Sequence, residues 1–338
     1  AAAAPRPPPA GPTRRTPGAR AAARSPRLGG VTTENTAPRV ALATCSVLPQ
    51  LDPDDAPLVR ALDARGVAAQ PAVWDDPDVD WAAFDAVVVR STWDYSARRD
   101  EFVAWASRVP HILNAEQVLR WNTDKGYLRE LEGAGIPVIP TLWLDPARNL
   151  SSRAIHTRLP AQGDFVIKPV VSAGAKDTGR YQAGEAHSRG LAIQHAKNLL
   201  VSGREVMVQP YVTSVDTAGE TGLVFVDGEF SHAVRKNALL TGPHRPTRGL
   251  YQQEEMSPFT ASDEQLDVAR RALAVAADAV GGGDPASFLY ARVDVVTGND
   301  DGGVVVIELE LTEPSLFLAL APGSLDRFAD AIAARVAR

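Results

Sequence analysis

A chain of 338 residues, 45% hydrophobic and 22% charged, holds enough apolar material for a large core divided into two or three lobes. It contains no run of about 18 apolar residues and no apolar stretch behind a basic start, so neither a membrane nor a secretory route is expected and the cytoplasm is the expected location. The formal net charge of −6 is unevenly spread: residues 1–37 carry six Arg against one Glu, so the remainder is acidic, which excludes a broad nucleic-acid-binding face.

Residues 1–37 are rich in Ala, Pro, Arg and Gly without apolar periodicity, and are expected to form a disordered tail. The single cysteine, Cys45, rules out an intrachain disulfide framework and a cysteine-based zinc cage. From Pro38 the pattern becomes an alternation of strands and helices. Arg39–Thr44 and Val67–Trp74 read as strands flanking a helix at Leu58–Arg65 that stops at Gly66. Phe84–Arg90, with Ala86-Val87-Val88-Val89, reads as a strand buried on both faces, and Arg99–Arg108 as a helix. These elements predict a doubly wound α/β lobe over residues 38–118. Ligands of such sheets sit beyond the carboxyl ends of strands, which makes Ser91, Thr92, Trp93, Asp94 and Tyr95 a candidate substrate loop. The same residues also suit a capped turn with Trp93 in the core.

A helix is predicted to start at Asn122-Thr123-Asp124, capped by Asn122 or Thr123, with Lys125 in its first turn. A cation there calls for a shared anion. Phe165–Pro169 reads as a strand with Phe165 and Ile167 on one face and Lys168 on the other. The small-residue segment 171–180, which includes Ser172, Ala173 and Gly174, follows as a loop whose N–H groups can cradle phosphate. Val206–Val212, containing Gln209, Pro210, Tyr211 and Val212, reads as a strand interrupted by proline and hence an edge or a hinge.

Near the C-terminal end, Phe288–Val296 and Val304–Leu311 read as an antiparallel hairpin. Period two places Glu308 and Glu310 on one face, and a register pairing 294 with 308 brings Asp294 beside them. Three converging carboxylates repel one another unless a divalent cation, Mg²⁺ or Mn²⁺, compensates them. A solvated acidic sheet face is the competing reading. Arg292, of the same parity as Asp294, and Arg235, at the end of the strand Phe230–Arg235, could reach a carboxylate or a transferring phosphoryl group, or simply balance the acids. The six histidines have no metal-ligand spacing, and no P-loop, dinucleotide or nucleophile-elbow motif occurs.

The ordered set of Lys125, Gly135-Ile136-Pro137, Phe165–Pro169 with its loop, Gln209–Val212, Asp294 and Glu308-Leu309-Glu310 resembles the ATP-grasp superfamily from residue 38 onward. The branch resembles the glutathione synthetase and ribosomal-S6-modifying ligases. Ser91–Tyr95, Ser231–Lys236 and Glu308–Ser315 resemble more closely the O-ureido-serine cyclo-ligases of antibiotic biosynthesis. The resemblance implies an N-terminal α/β lobe at 38–118, a small ATP-grasp subdomain at 119–205 and a large one with the metal site at 206–338. It implies that Lys125 and Lys168 hold the phosphates of ATP under the 171–180 lid, that Gln209–Val212 line the adenine, and that Glu220 contacts the ribose. Asp294, Glu308 and Glu310 are implied as magnesium ligands, Arg235 and Arg292 as groups steadying an acyl phosphate, and Ser91–Tyr95 with Glu313 as substrate contacts. Arg248–Glu255 is expected to close over the substrate. Where most ATP-grasp ligases carry Asn, this chain carries Glu310. The implied activity joins the carboxylate of a small amino-acid-like molecule to a nitrogen of the same molecule or of a second amino acid, with a homodimer as a compatible assembly. A phosphotransferase and a non-catalytic nucleotide-binding module are the alternatives.

Overall fold

β1 (Arg39–Thr44), α1 (Pro57–Asp63), β2 (Ala68–Val73), β3 (Ala86–Val89), α2 (Arg99–Ala106) and β4 (Ile112–Leu113) build a parallel sheet of order β2-β1-β3-β4. The computed structural model describes residues 37–244, 250, 255–299 and 302–337. The expected tail at 1–37 and the expected closing segment 248–255 lie largely outside the described residues. β3 is buried at all four positions because both faces of the sheet are covered. Val88 joins Val40, Leu42 and Leu58 on one side, while Val87 and Val89 meet Trp74, Phe102 and Trp105 on the other. A continuous apolar run is what such two-sided burial requires.

Two short helices follow, α3 (Glu116–Asn122) and α4 (Tyr127–Gly133). The predicted single helix start at 122–124 is corrected here: α3 ends at Asn122, and Lys125 lies in the junction before α4 rather than in a first turn. Asp124 accepts the Gly126 N–H at 2.8 Å, and the Lys125 N–H goes to the Val170 carbonyl at 3.1 Å, so the backbone is committed outside a helix. The Thr123 hydroxyl accepts Arg99 Nε at 2.9 Å and donates to the Arg120 carbonyl at 3.4 Å, at the end of α3 rather than at the start of α4.

β5 (Leu142–Leu144), α5 (Ser152–His156), β6 (Asp164–Pro169), β7 (Gly179–Gln182), α6 (Ala186–Val201) and β8 (Val206–Pro210) form an antiparallel sheet of order β5-β8-β6-β7. β8 is therefore an internal strand, which excludes the edge that was one of the two readings of its proline. Its proline is tolerated because β5 pairs only as far as Val208, two residues before Pro210. The expected boundary at 205/206 falls inside this sheet. Phe165 and Ile167 turn into a core with α5 and α6, while Lys168 and Val166 turn the opposite way.

The remaining chain contributes α7 (Val215–Ala218), β9 (Glu220–Val226), β10 (Glu229–Lys236), β11 (Met256–Phe259), α8 (Asp263–Ala279), β12 (Tyr290–Thr297), β13 (Val304–Glu310) and α9 (Ser324–Val336). The strands form a second antiparallel sheet, β11-β10-β9-β12-β13. α8 starts with a full capping box, Ser262 with Gln265, and its apolar stripe packs on this sheet together with Tyr127, Leu128 and Leu131 of α4. α4 thus packs on the large sheet, while its Arg129 lies over Trp143 of β5 on the small one. α9 returns to the first lobe, where Phe328, Ala329 and Ile332 meet Leu58 and Leu62 of α1. No helix among the described residues is long and apolar enough to cross a membrane.

Candidate active site

The two antiparallel sheets and the ends of β1 and β3 surround a cavity of about 420 Å³. One end is apolar: Ile139, Val166, Tyr211, Val212 and Val215 cluster there with the partly buried Leu240 and Ile307. Gln209 on β8 is fixed by a 2.8 Å bond to the Thr141 hydroxyl, and the Tyr211 hydroxyl by one of 2.6 Å to Asp216. The Arg180 guanidinium lies 3.6 Å from the centre of the Tyr211 ring. The result is a predominantly apolar slot with fixed polar edges, of the kind suited to a flat heteroaromatic ring.

Beside the slot two lysines converge from different elements. Lys125 Nζ donates to the Ser172 carbonyl at 2.7 Å and pairs with Glu308 at 3.0 Å. Lys168, on the last turn-facing position of β6, is only 8% exposed and has no hydrogen-bond or ion-pair partner among the described residues. Burial lowers its pKa, against which Glu308 pulls upward. A buried cation without a partner is costly, and an anion delivered to the cavity removes that cost. Above both lysines, Ser172, Ala173 and Gly174 line the cavity, with Gly174 and Ala175 both at positive φ (59° and 55°), so the backbone curls there.

The predicted register is present: Asp294 pairs with Glu308 and Arg292 with Glu310 across β12 and β13. Gly222 of β9 lies opposite Asp294, and a Cβ there would sit 3.2 Å from Asp294 Oδ1 and 3.3 Å from Arg292 Cδ; the glycine leaves room for the pair. The acids do not stand unpaired, however. Arg292 donates to both oxygens of Asp294, at 2.8 and 2.9 Å, and also to Glu310. Lys236 Nζ reaches Asp294 at 2.7 Å and Glu220 at 3.1 Å. Although burial pushes Asp294 up, Arg292 and Lys236 hold it well below the usual carboxylate range. Burial likewise opposes ionisation of Glu308, but Lys125 and Lys168 keep it low. Glu310 is pushed up to about 7 by burial, with Arg292 resisting. Among the described residues no three His, Cys, Asp or Glu side chains are grouped so as to hold a metal ion. Glu308 and Glu310 fit a hard divalent cation in donor chemistry and border the cavity, whereas the oxygens of Asp294 are occupied by cations.

Several expectations are corrected. Arg235 does not line the cavity: it lies over the Phe259 ring at 4.4 Å, and Lys236, which sequence reasoning passed over, takes the inward position. Of the candidate substrate loop only Trp93 and Tyr95 border the cavity. Ser91 is fully buried, donating to Asp55 at 3.1 Å and accepting the Asp52 N–H at 3.0 Å. Thr92 is fully buried, and Asp94 accepts from Trp74 Nε1 and Arg98. Glu313 faces the cavity beside Tyr95; burial, reinforced by Glu310, raises its pKa to about 8. Asn122 was also missed as a site residue. Its side chain borders the cavity and holds the Leu309 carbonyl and Leu311 N–H, both at 2.7 Å.

A parallel α/β lobe followed by two antiparallel sheets that face each other across paired lysines and a carboxylate-bearing hairpin defines an ATP-grasp ligase. The chain is 38% identical over 305 residues to the cycloserine biosynthesis protein DcsG of Streptomyces lavendulae, covering 88% of this chain and 98% of that one. The crystal structure of D-cycloserine synthetase DcsG superposes with a TM-score of 0.77 at 37% identity, over 88% of this chain and 99% of that one. Residues 40–114 match the family described as D-cycloserine synthetase DcsG, N-terminal domain. A D-alanine–D-alanine ligase from Bacillus anthracis shares the fold at 14% identity, with a TM-score of 0.60 over 89% of this chain and 98% of that one. This chain therefore belongs to the DcsG family of ATP-grasp ligases.

Proposed function

We propose that the protein uses ATP to phosphorylate the carboxylate of a small amino-acid-like substrate and then closes that substrate on its own nitrogen, as a cyclo-ligase of cycloserine-type antibiotic biosynthesis. The observation that carries the reading is Lys168, a buried cation facing the cavity without a hydrogen-bond or ion-pair partner among the described residues. In the proposed arrangement the adenine lies in the slot at Val166, Gln209, Pro210, Tyr211 and Val212, and Glu220 meets the ribose. Lys125 and Lys168 meet the phosphates under the 171–180 loop. Structures of the same fold have been solved with ATP, in the D-alanine–D-alanine ligase, and with Mg and ADP, in PsnB. Glu308 and Glu310 are the residues of this chain that would hold magnesium, which supplies charge neutralisation at the phosphates when bound.

In the first step a carboxylate oxygen of the substrate attacks the γ-phosphorus and ADP leaves. Arg292, whose guanidinium is aimed by Asp294 and by the Ser315 carbonyl at 2.8 Å, steadies the developing charge of the acyl phosphate. In the second step the substrate nitrogen attacks the acyl carbon, inorganic phosphate leaves, and the nitrogen loses a proton. Trp93, Tyr95 and Glu313 form the end of the cavity where the amino-acid part of the substrate lies. ADP release with ATP and Mg²⁺, measured over D- and L-amino acids including O-ureido-serine, tests this reading. Turnover on one of them, abolished by Glu308→Gln, with a cyclic product formed from a single substrate molecule, is expected. ATP binding without ADP release on any of them refutes it, and a product containing two amino acids moves the assignment to intermolecular ligation.

A further inference from the structure

Between β13 and α9 the chain runs along the cavity through residues 311–317, of which Glu313, Ser315 and Phe317 line it, and its carbonyls are held by a set of long-range donors. The Thr312 carbonyl accepts the Tyr290 hydroxyl at 2.8 Å. The next carbonyls in line after Glu313 are taken in succession: Pro314 by Arg90 Nη2 at 2.7 Å, Ser315 by Arg292 Nη1 at 2.8 Å, and Leu316 by the His232 ring at 2.8 Å. Three of these donors, Tyr290, Arg292 and His232, belong to the large sheet, and Arg292 borders the cavity. Arg90 belongs to the first lobe.

Arg90 is the largest fully buried side chain among the described residues. Its Nε pairs with Asp55 at 2.9 Å, Asp55 is itself anchored by Ser91, and the guanidinium lies 5.1 and 5.6 Å from the Tyr290 and Phe328 rings. Besides its pairing with Asp55, the hydrogen bond that this buried guanidinium makes among the described residues goes to Pro314, adjacent to Glu313. A guanidinium presents several donors in one fixed plane, so fixing Nε on Asp55 also fixes where Nη2 points.

We propose that Arg90 is a positioning residue: the first lobe, through the Arg90–Pro314 bond, sets the placement of Glu313 and thereby the recognition of the non-nucleotide substrate, without contributing to nucleotide binding. This inference rests on the preceding reading, in which the Glu313 end of the cavity takes that substrate. It also gives the segment Ser91–Tyr95 a division of labour: Ser91 secures the arginine's partner while Trp93 and Tyr95 face the cavity.

Arg90→Lys, Glu313→Gln and the double variant decide the matter in the full chain. An ammonium at position 90 cannot span Asp55 and Pro314 together in the same plane. For Arg90→Lys the KM for O-ureido-serine rises about tenfold and the KM for ATP stays within about twofold, and the double variant is no worse than the poorer single one, as coupled residues require. Amide exchange at residues 312–318 quickens about tenfold in Arg90→Lys while exchange in β6 and β8 is unchanged. Equal rises in both KM values, an additive double variant, or unaltered exchange at 312–318 overturns the proposal. If Glu313→Gln leaves the substrate KM untouched, or wild type does not act on O-ureido-serine, the site reading fails instead, and the exchange measurement still decides whether Arg90 places the loop. Asp55→Asn, which keeps the arginine but frees its plane, provides the same comparison should Arg90→Lys fold poorly.

Discussion

Replacing Lys236 by methionine, with Arg235→Met as its partner experiment, tests which of two adjacent cations serves the site. Lys236 is 8% exposed and its Nζ is shared by Asp294, 2% exposed, and Glu220, 26% exposed. Removing one member of a buried ion pair costs ~3–5 kcal/mol because the other charge is stranded. Asp294 keeps both bonds to Arg292, which sets the loss near the lower end, ~3 kcal/mol, and the more exposed Glu220 adds less than ~1 kcal/mol. Methionine preserves most of the apolar stem. Arg235→Met forfeits a guanidinium lying over Phe259, worth ~0.5–1 kcal/mol, and at the same time removes a buried Nε that has no partner, so its net effect is close to zero. With an m-value of ~3 kcal/mol per molar, urea midpoints should separate by about 1 M. ADP release should fall ~100-fold in Lys236→Met if most of the lost energy is felt in the transition state, and hardly in Arg235→Met. A larger loss in Arg235→Met than in Lys236→Met, by either measure, refutes the assignment of faces.

Lys168→Met should weaken ATP binding at least ~10-fold by titration while leaving the urea midpoint of the ligand-free protein equal or higher, since it deletes a buried charge without a partner. Glu313 titrates at about 8 when folded against a reference of 4.5, so the folded state keeps a proton the unfolded chain has released between those values. Its contribution to stability is therefore present at low pH and lost as pH climbs through that window; Glu313→Gln should flatten the slope of urea midpoints taken at about pH 5.5, 7 and 8.5. Gly219 has φ +72°, and a Cβ there would lie 2.5 Å from the Lys236 carbonyl, so Gly219→Ala should cost ~1–3 kcal/mol by the same denaturation assay.

The placement of Glu308 and Glu310 was legible from the end of β13, where Leu309 and Leu311 are buried and the two acids alternate with them; β12 is buried on both faces and gave no phase of its own. The first lobe was legible for a different reason: an apolar run such as Val87-Val88-Val89 has few other uses in a chain this size. β10 gave no such phase. Ala233 and Val234 are both buried, so alternation cannot tell whether Arg235 or Lys236 turns toward the cavity, and the tie is broken only by the partners on β9 and β12. Ser91–Asp94 misled because a hydroxyl and a carboxylate beyond a parallel strand suit a ligand and suit an internal clamp equally, and the choice was made by Asp55, Trp74 and Arg98 from distant parts of the sequence. That Arg292 balances the acids was one of its two readings from sequence; that Lys125 and Lys236 join it was not visible, because it depends on side chains crossing between elements.

The return of α9 to the first lobe has a bearing on how the molecule is made. The face of α1 that carries Leu58 and Leu62, and the strand residues Val40 and Leu42 beneath it, are covered by Phe328, Ala329 and Ile332. Arg65 of the same region binds Asp330 at 2.6 Å. During synthesis, residues 39–113 therefore leave the ribosome with this side of their sheet covered by α1 alone, and the rest of its cover arrives only after more than two hundred further residues. The first lobe must wait for the last helix, and its apolar face is open to chaperones, or to mispairing with another nascent chain, for as long as that takes.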